Sequence, residues 1–276
     1  MFRLLLSIAV AAGLTVAPAS ADEVGAYTSG LCRFGNQWVV SGNWDGTGGD
    51  GVGIVQETDA GLEWFLRNEP GSGAVDINLK FGAKGEFPMV GDWDGKNGDG
   101  VAAVKTSGKD LRWQLRNTLT TGPADSSFTF GTSSDLPVTG DWDGKDGDGV
   151  GAWRISGNNI QWHIRNSANA GSPTSIFSFG AKTDRPATGD WDGKNGDGVG
   201  TSHRGTGMDW QLRDSANAGS PNKSFTFGDG KTDCALTGDW DGDGKDSVGI
   251  VRVLDGRQWQ LRNPLSGGAA DYTFTF

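Results

Sequence analysis

A turn core recurs along this chain every 49 residues, as Gly42-Asn43-Trp44-Asp45-Gly46, then Gly91-Asp92-Trp93-Asp94-Gly95, and again around Trp142, Trp191 and Trp240. A second marker, Trp followed by Leu or Ile and then Arg, runs Trp64 to Arg67, Trp113 to Arg116, Trp162 to Arg165, Trp210 to Arg213 and Trp259 to Arg262. A third is aromatic, as in Phe128-Thr129-Phe130-Gly131, Phe177 to Gly180 and Phe225 to Gly228, with a weaker Leu79 to Gly82 in the first copy and Phe274-Thr275-Phe276 in the fifth. Repeats of this length are units that bury their apolar faces only against neighbours. The third copy divides into four short alternating segments, residues 136–142, 150–155, 160–165 and 175–179. Four strands per repeat predict an all-β, five-bladed β-propeller of four-stranded blades over residues 37–276, whereas two or three per repeat would suit a β-solenoid.

The 47 glycines and 12 tryptophans would suggest disorder if scattered, but here they keep a fixed register with period-two alternation. The formal net charge of −10 lacks the basic footprint that a phosphate backbone requires, so nucleic acid is not an expected partner. Residues 1–21 read as an export signal, with Arg3, an apolar stretch from Leu4 to Val16, and Ala19-Ser20-Ala21 as the cleavage site. The stretch is too short to span a bilayer and nothing comparable follows. No lipid-anchoring cysteine stands at the cleavage site and no hydrophobic tail follows the last repeat, so we expect a secreted protein, extracellular or periplasmic. Residues 22–36 form an N-terminal closing segment, in which Leu31 to Gly35 reads as the tail of a missing preceding copy. The two cysteines are Cys32, in this segment, and Cys234, leading into the fifth copy. Ring closure sets the first and last blades side by side and export is oxidising, so a Cys32–Cys234 disulfide is expected, the alternative being two unpaired buried thiols.

In the last copy Asp239, Asp241 and Asp243 alternate along the turn, with Gly242 permitting the bend and Asp246 following. Carboxylates so spaced converge on an oxygen-seeking cation such as calcium. Gly238-Asp239-Trp240-Asp241-Gly242-Asp243-Gly244, preceded by Phe227-Gly228, resembles the FG-GAP or VCBS-type repeat of integrin-like propellers, and the likeness covers essentially the whole mature chain. That resemblance implies a structural calcium site on Asp239, Asp241, Asp243 and Asp246. The ninth position, often a carboxylate in that family, is Ser247 here. Earlier copies depart further, carrying Thr47, Lys96, Lys145 and Lys194 at the fifth position and Asp50, Asp99, Asp148 and Asp197 at the eighth. The corresponding candidate ligands are Asp92, Asp94 and Asp99; Asp141, Asp143 and Asp148; and Asp190, Asp192 and Asp197. A lysine ammonium neutralising these carboxylates is one alternative to metal, and Asx-type turns are another.

The repeated tryptophans are expected to fill layers between blades, and the repeated arginines, from Arg67 to Arg262, to pair with turn carboxylates. Ligand candidates are the irregular places: Trp38 and Trp153, outside the repeated positions, and Asn166 and Asn217, at and within the loops 167–173 and 215–221. The two histidines, His163 and His203, stand in no nucleophile or zinc motif. The chain is therefore read as a calcium-supported binding or adhesion module and not an enzyme, with glycans favoured over extracellular or cell-surface proteins. Alternatives are a structural envelope or matrix component and an extracellular hydrolase using a pair such as Asp146 and Asp148.

Overall fold

A computed structural model describes residues 31–145, 147–252 and 257–276. The export signal at 1–21, residues 22–30 of the closing segment, and Asp146 lie outside the described residues. The described chain forms five antiparallel sheets and no helix. The first sheet takes β1 (Arg33–Phe34), β2 (Gln37–Gly42), β3 (Gly51–Thr58), β4 (Gly61–Arg67) and β5 (Ile77–Lys80). The second takes β6 (Phe87–Gly91), β7 (Gly100–Ser107), β8 (Asp110–Arg116) and β9 (Ser126–Thr132). The third takes β10 (Leu136–Gly140), β11 (Gly149–Ser156), β12 (Asn159–Arg165) and β13 (Ser175–Ala181). The fourth takes β14 (Arg185–Gly189), β15 (Gly198–Arg204), β16 (Met208–Arg213) and β17 (Lys223–Thr226), and the fifth β18 (Asp233–Gly238), β19 (Ser247–Arg252), β20 (Gln258–Arg262) and β21 (Tyr272–Thr275).

Each sheet is one blade, its strands neighbours in chain order. The first strands of the repeats, β2, β6, β10, β14 and β18, pack on one another in a closed round, so they line the axis of a five-bladed propeller. Hairpin chemistry explains the local pairing: Ser107 opposes Asp110 across the two-residue turn Gly108-Lys109, whose glycine supplies φ +65°.

The blades stick through tryptophan. Trp64, Trp113, Trp162, Trp210 and Trp259 are all 0% exposed. Burying a side chain of about 150–250 Å² is worth about 4–6 kcal/mol at 25 cal/mol per Å². Within the blade, Trp113, Trp162 and Trp259 stack on Phe128, Phe177 and Phe274. Toward the next blade, Trp210 shares a core with Val248 and Ile250. Four of the indoles donate Nε1–H to a carbonyl in the Phe-Gly connection, as Trp162 does to Phe179 at 2.9 Å.

Closure takes a form of its own. The segment expected to complete a preceding copy instead folds back as a hairpin on the first blade, with Arg33 opposite Trp38 and Phe34 opposite Gln37. Phe34 enters the core that holds Trp259, Leu261 and the last-blade aromatics Phe274 and Phe276. The expected Cys32–Cys234 disulfide is present, with Cα atoms 5.4 Å apart, and it joins the first blade to the fifth.

Candidate functional site

The turn core builds one end of the ring. In each copy from the second on, the first turn carboxylate caps its own loop by accepting backbone N–H groups. Asp141 Oδ1 accepts from Gly144 at 2.8 Å and Lys145 at 3.2 Å, and Asp190 Oδ1 from Gly193 at 2.8 Å and Lys194 at 3.0 Å. Asp92 Oδ1 accepts from Asp94 and Lys96, while Asp239 takes Gly242 and Asp243 on Oδ1 and Gly244 on Oδ2. These are Asx-type turns. The third-position carboxylate accepts from an asparagine after the arginine: Asp94 from Asn117 at 3.3 Å, Asp143 from Asn166 at 2.8 Å and Asp241 from Asn263 at 2.7 Å. The fourth blade replaces that asparagine with Asp214, and there Asp192 Oδ1 and Asp214 Oδ1 are buried without a hydrogen bond.

The eighth-position aspartates serve the ring. Each reaches across a blade interface to the backbone N–H of the preceding copy's turn: Asp99 to Asn43, Asp148 to Asp92, Asp197 to Asp141, Asp246 to Asp190, and Asp50 to Asp239, at 2.8–3.1 Å. Each also donates its own N–H to the carbonyl of the same residue. These double clasps run round the axis without a break and need a bare backbone opposite. A Cβ on Gly140 would stand 2.7 Å from Asp197 Oδ2 and 2.9 Å from Trp142. Burial pushes Asp99 and Asp246 up to about 7. It holds Asp50, Asp148 and Asp197 well above the ordinary carboxylate value, with neighbouring ring carboxylates adding to the rise.

Among the described residues, one trio of carboxylates places its oxygens within 4.8 Å of one another: Asp239, Asp241 and Asp243. Asp246, expected to complete that cage, is committed to Asp190 of the neighbouring blade. The trio offers only oxygen, which suits a hard cation, and Asp241 and Asp243 are exposed. Lys245 Nζ lies 3.1 Å from Asp243 Oδ2, where it would compete with a bound ion. The lysines of the middle copies, Lys96, Lys145 and Lys194, make no ion pair with the turn carboxylates among the described residues.

The repeated arginines depart from expectation. They thread back into the loops that follow them and bond mostly to carbonyl oxygens. Arg165 donates to Asn169 and to the Ser172 carbonyl at 3.0 Å, and Arg213 to Asn217 and the Ser220 carbonyl at 2.8 Å. Among the described residues, the one carboxylate paired with such a guanidinium is Asp125, 3.8 Å from Arg116. Asn217 thus holds Arg213 with its side-chain oxygen, and Asn166 holds Asp143 with its amide. Trp38 and Trp153 are 3% and 4% exposed and turn no ring face to solvent. Trp38 packs edge-on to Phe87 under the Arg33 guanidinium, and Trp153 lines a cavity of about 160 Å³ at the axis with Val138 and Leu236.

Farther out, polar side chains pair within the blades. In four copies a buried acid pairs with a base nineteen residues on: Glu86 with Lys105, Asp135 with Arg154, Asp184 with His203 and Asp233 with Arg252, all within 2.6–2.8 Å. The first copy has the neutral pair Gln37 and Gln56. The next strand sets a second polar residue opposite each of these partners, giving Gln56–Glu63, Lys105–Arg112, Arg154–Gln161, His203–Asp209 and Arg252–Gln258. Between the third and fourth blades this row opens into a cleft of about 580 Å³. No protein-family model matches the chain, and no curated protein matches it. Function is therefore read from the ring and its clefts. The acid–base column was visible in the aligned copies as an acid at the repeat's first position and a base at its twentieth, a signal that single motifs do not carry.

Proposed function

We propose that the protein is an exported binding module whose inter-blade clefts take a hydroxyl-rich ligand, with carbohydrate favoured over a protein partner. The observation that carries this reading is the polar cleft between the third and fourth blades, lined by amide, hydroxyl, imidazole and carboxylate groups on two rigid sheets. An apolar docking face would call for more than Val75, Ile155 and Ile176, the exposed large apolar side chains among the described residues. Recognition here rests on hydrogen bonds, because the repeated indoles are buried and leave no repeated stacking platform. Sites of this kind bind weakly one at a time and strongly on multivalent surfaces, since several clefts on one ring raise effective concentration. A glycan array probed with the mature protein, with calcium and with chelator, tests the reading. Retention of defined glycans supports it, and a blank array alongside capture by an immobilised extracellular protein favours the matrix alternative.

Calcium support belongs to the same proposal, as does the FG-GAP or VCBS-type character of the turns. Asp239, Asp241 and Asp243 would hold the ion, which would neutralise the trio and stiffen the last turn. At a hundredfold excess over its dissociation constant, an ion binding only the native state stabilises it by about 2.7 kcal/mol. Thermal unfolding with and without calcium should show that gain in the wild type and lose it in Asp241→Ala. An equal loss in Asp94→Ala or Asp192→Ala would move the site away from the last blade.

A further inference from the structure

We propose that the cleft between the third and fourth blades is the ring's principal ligand site, and that it selects saccharides bearing an amine, accepts neutral ones and rejects acidic ones. The proposal rests on the carbohydrate reading above and narrows it.

The five cross-strand pairs are not chemically uniform. The second copy sets Lys105 beside Arg112, and the third and fifth set an arginine beside a glutamine. The first has Glu63, but Lys80 stands opposite it on the next strand. Only the fourth has an acid, Asp209, with neither a lysine nor an arginine across either neighbouring strand, where it meets His203 and Thr226. Among the described residues, no lysine or arginine lines the cleft.

His203 is the other departure, the one imidazole at a position held by lysine or arginine in three copies. Its Nδ1 lies 2.8 Å from Asp184 Oδ1, and Asp184 is buried and takes the Ala181 N–H on its other oxygen. A buried carboxylate at Nδ1 sets the neutral ring's proton there and leaves a lone pair on Nε2. That atom has no protein partner among the described residues, and the side chain is 44% exposed. Two groups of the cleft can only accept, His203 Nε2 in that tautomer and the exposed Asp209 carboxylate, one oxygen of which takes the Thr226 hydroxyl, while Gln211, Asn159 and Ser178 each bring a donor as well as an acceptor. Hydroxyl and ammonium donors satisfy such a lining. A carboxylate or sulfate on the ligand would face Asp209 with no lysine or arginine among the described residues of the cleft to offset it.

Calorimetry at physiological ionic strength, with three probes of equal length, tests this: a glucosamine oligomer, its fully N-acetylated form and a galacturonic acid oligomer. The glucosamine oligomer should bind best and the galacturonate at least roughly tenfold more weakly, the scale of one charge-assisted hydrogen bond. Asp209→Asn should lower glucosamine affinity by about tenfold while leaving the melting temperature and the N-acetylated affinity little changed. His203→Ala should weaken both. Asp110→Asn, an exposed charge removed on another blade, should change neither and so controls for general attraction of a polycation to an acidic protein. Galacturonate binding as tight as glucosamine, or equal losses in Asp209→Asn and Asp110→Asn, overturns the proposal while neutral binding leaves the carbohydrate reading intact. Failure of all three probes to bind overturns both.

Discussion

The axial end of the ring and its peripheral clefts are built from the same five repeats, yet only the first is uniform. At the axis every copy keeps the aspartate of the clasp and the bare glycine it faces, from Asp50 and Gly238 round to Asp246 and Gly189. At the periphery the homologous pairs run from Lys105–Arg112 to His203–Asp209. Geometry separates the two. The clasp sits where blades converge, so any added atom meets backbone or carboxylate within 3 Å. The blades splay outward, and a side chain there meets water as readily as its neighbour. A repeat protein is thus free to vary its chemistry where its interfaces open.

Removing packing shared by both regions should have the largest effect. Trp162→Ala deletes an indole that bonds to Phe179 and packs between blades, and should cost about 3–5 kcal/mol in denaturant unfolding. A loss below about 1 kcal/mol would mean that the tryptophan layer does not hold the blades. The seam comes next. The Cys32–Cys234 bond spans 202 residues, and reducing it should cost about 2–5 kcal/mol, read as a lower urea midpoint.

The clasp makes a pH prediction whose sign is fixed by burial. Asp99 rises from the ordinary 3.8 to about 7 in the folded ring, so the native state holds a proton that the unfolded chain has released. Its stabilising contribution is complete below about 3.8 and is lost as pH climbs through about 7. Asp99→Asn keeps an oxygen to accept the Asn43 N–H and has no charge to bury. The fall in melting temperature between about pH 5 and about pH 8 should therefore be shallower in the variant than in the wild type. A steeper fall in the variant would show that the clasp is stronger as a carboxylate.

The smallest stability change should come from the periphery, where Asp209→Asn is expected to fall within about 0.5 kcal/mol of wild type. A loss comparable to that of Trp162→Ala would erase the distinction between a constrained axis and open clefts.

The copies themselves made much of this legible. Alternation from Gln161 to Arg165 marked a strand, Trp44 to Trp240 marked five equal units, and two cysteines at opposite ends of a ring marked the seam. Other positions were read less well for one physical reason. Asp148 belongs by sequence to its own turn, but its partner, Asp92, lies 56 residues back on the adjacent blade. Arg165 looked like a partner for turn acids, yet the following loop wraps its guanidinium first, with Gly171 pressed against it. Trp38 and Trp153 looked irregular and hence available, and packing within and between adjacent blades buried both.

What the sequence determined alone was therefore everything periodic: strand, turn, blade number and the residues that must be apolar, because these follow from steric and solvation rules acting within a few residues. Only the tertiary structure decided which way each polar group faces across an interface. That choice depends on a neighbour a whole repeat away, whose distance and angle arise when five blades close on themselves. Asp184 meeting His203 inside one blade was within reach of the aligned copies; the cleft that their pairing opens onto, bounded by another blade's outer strand, was not.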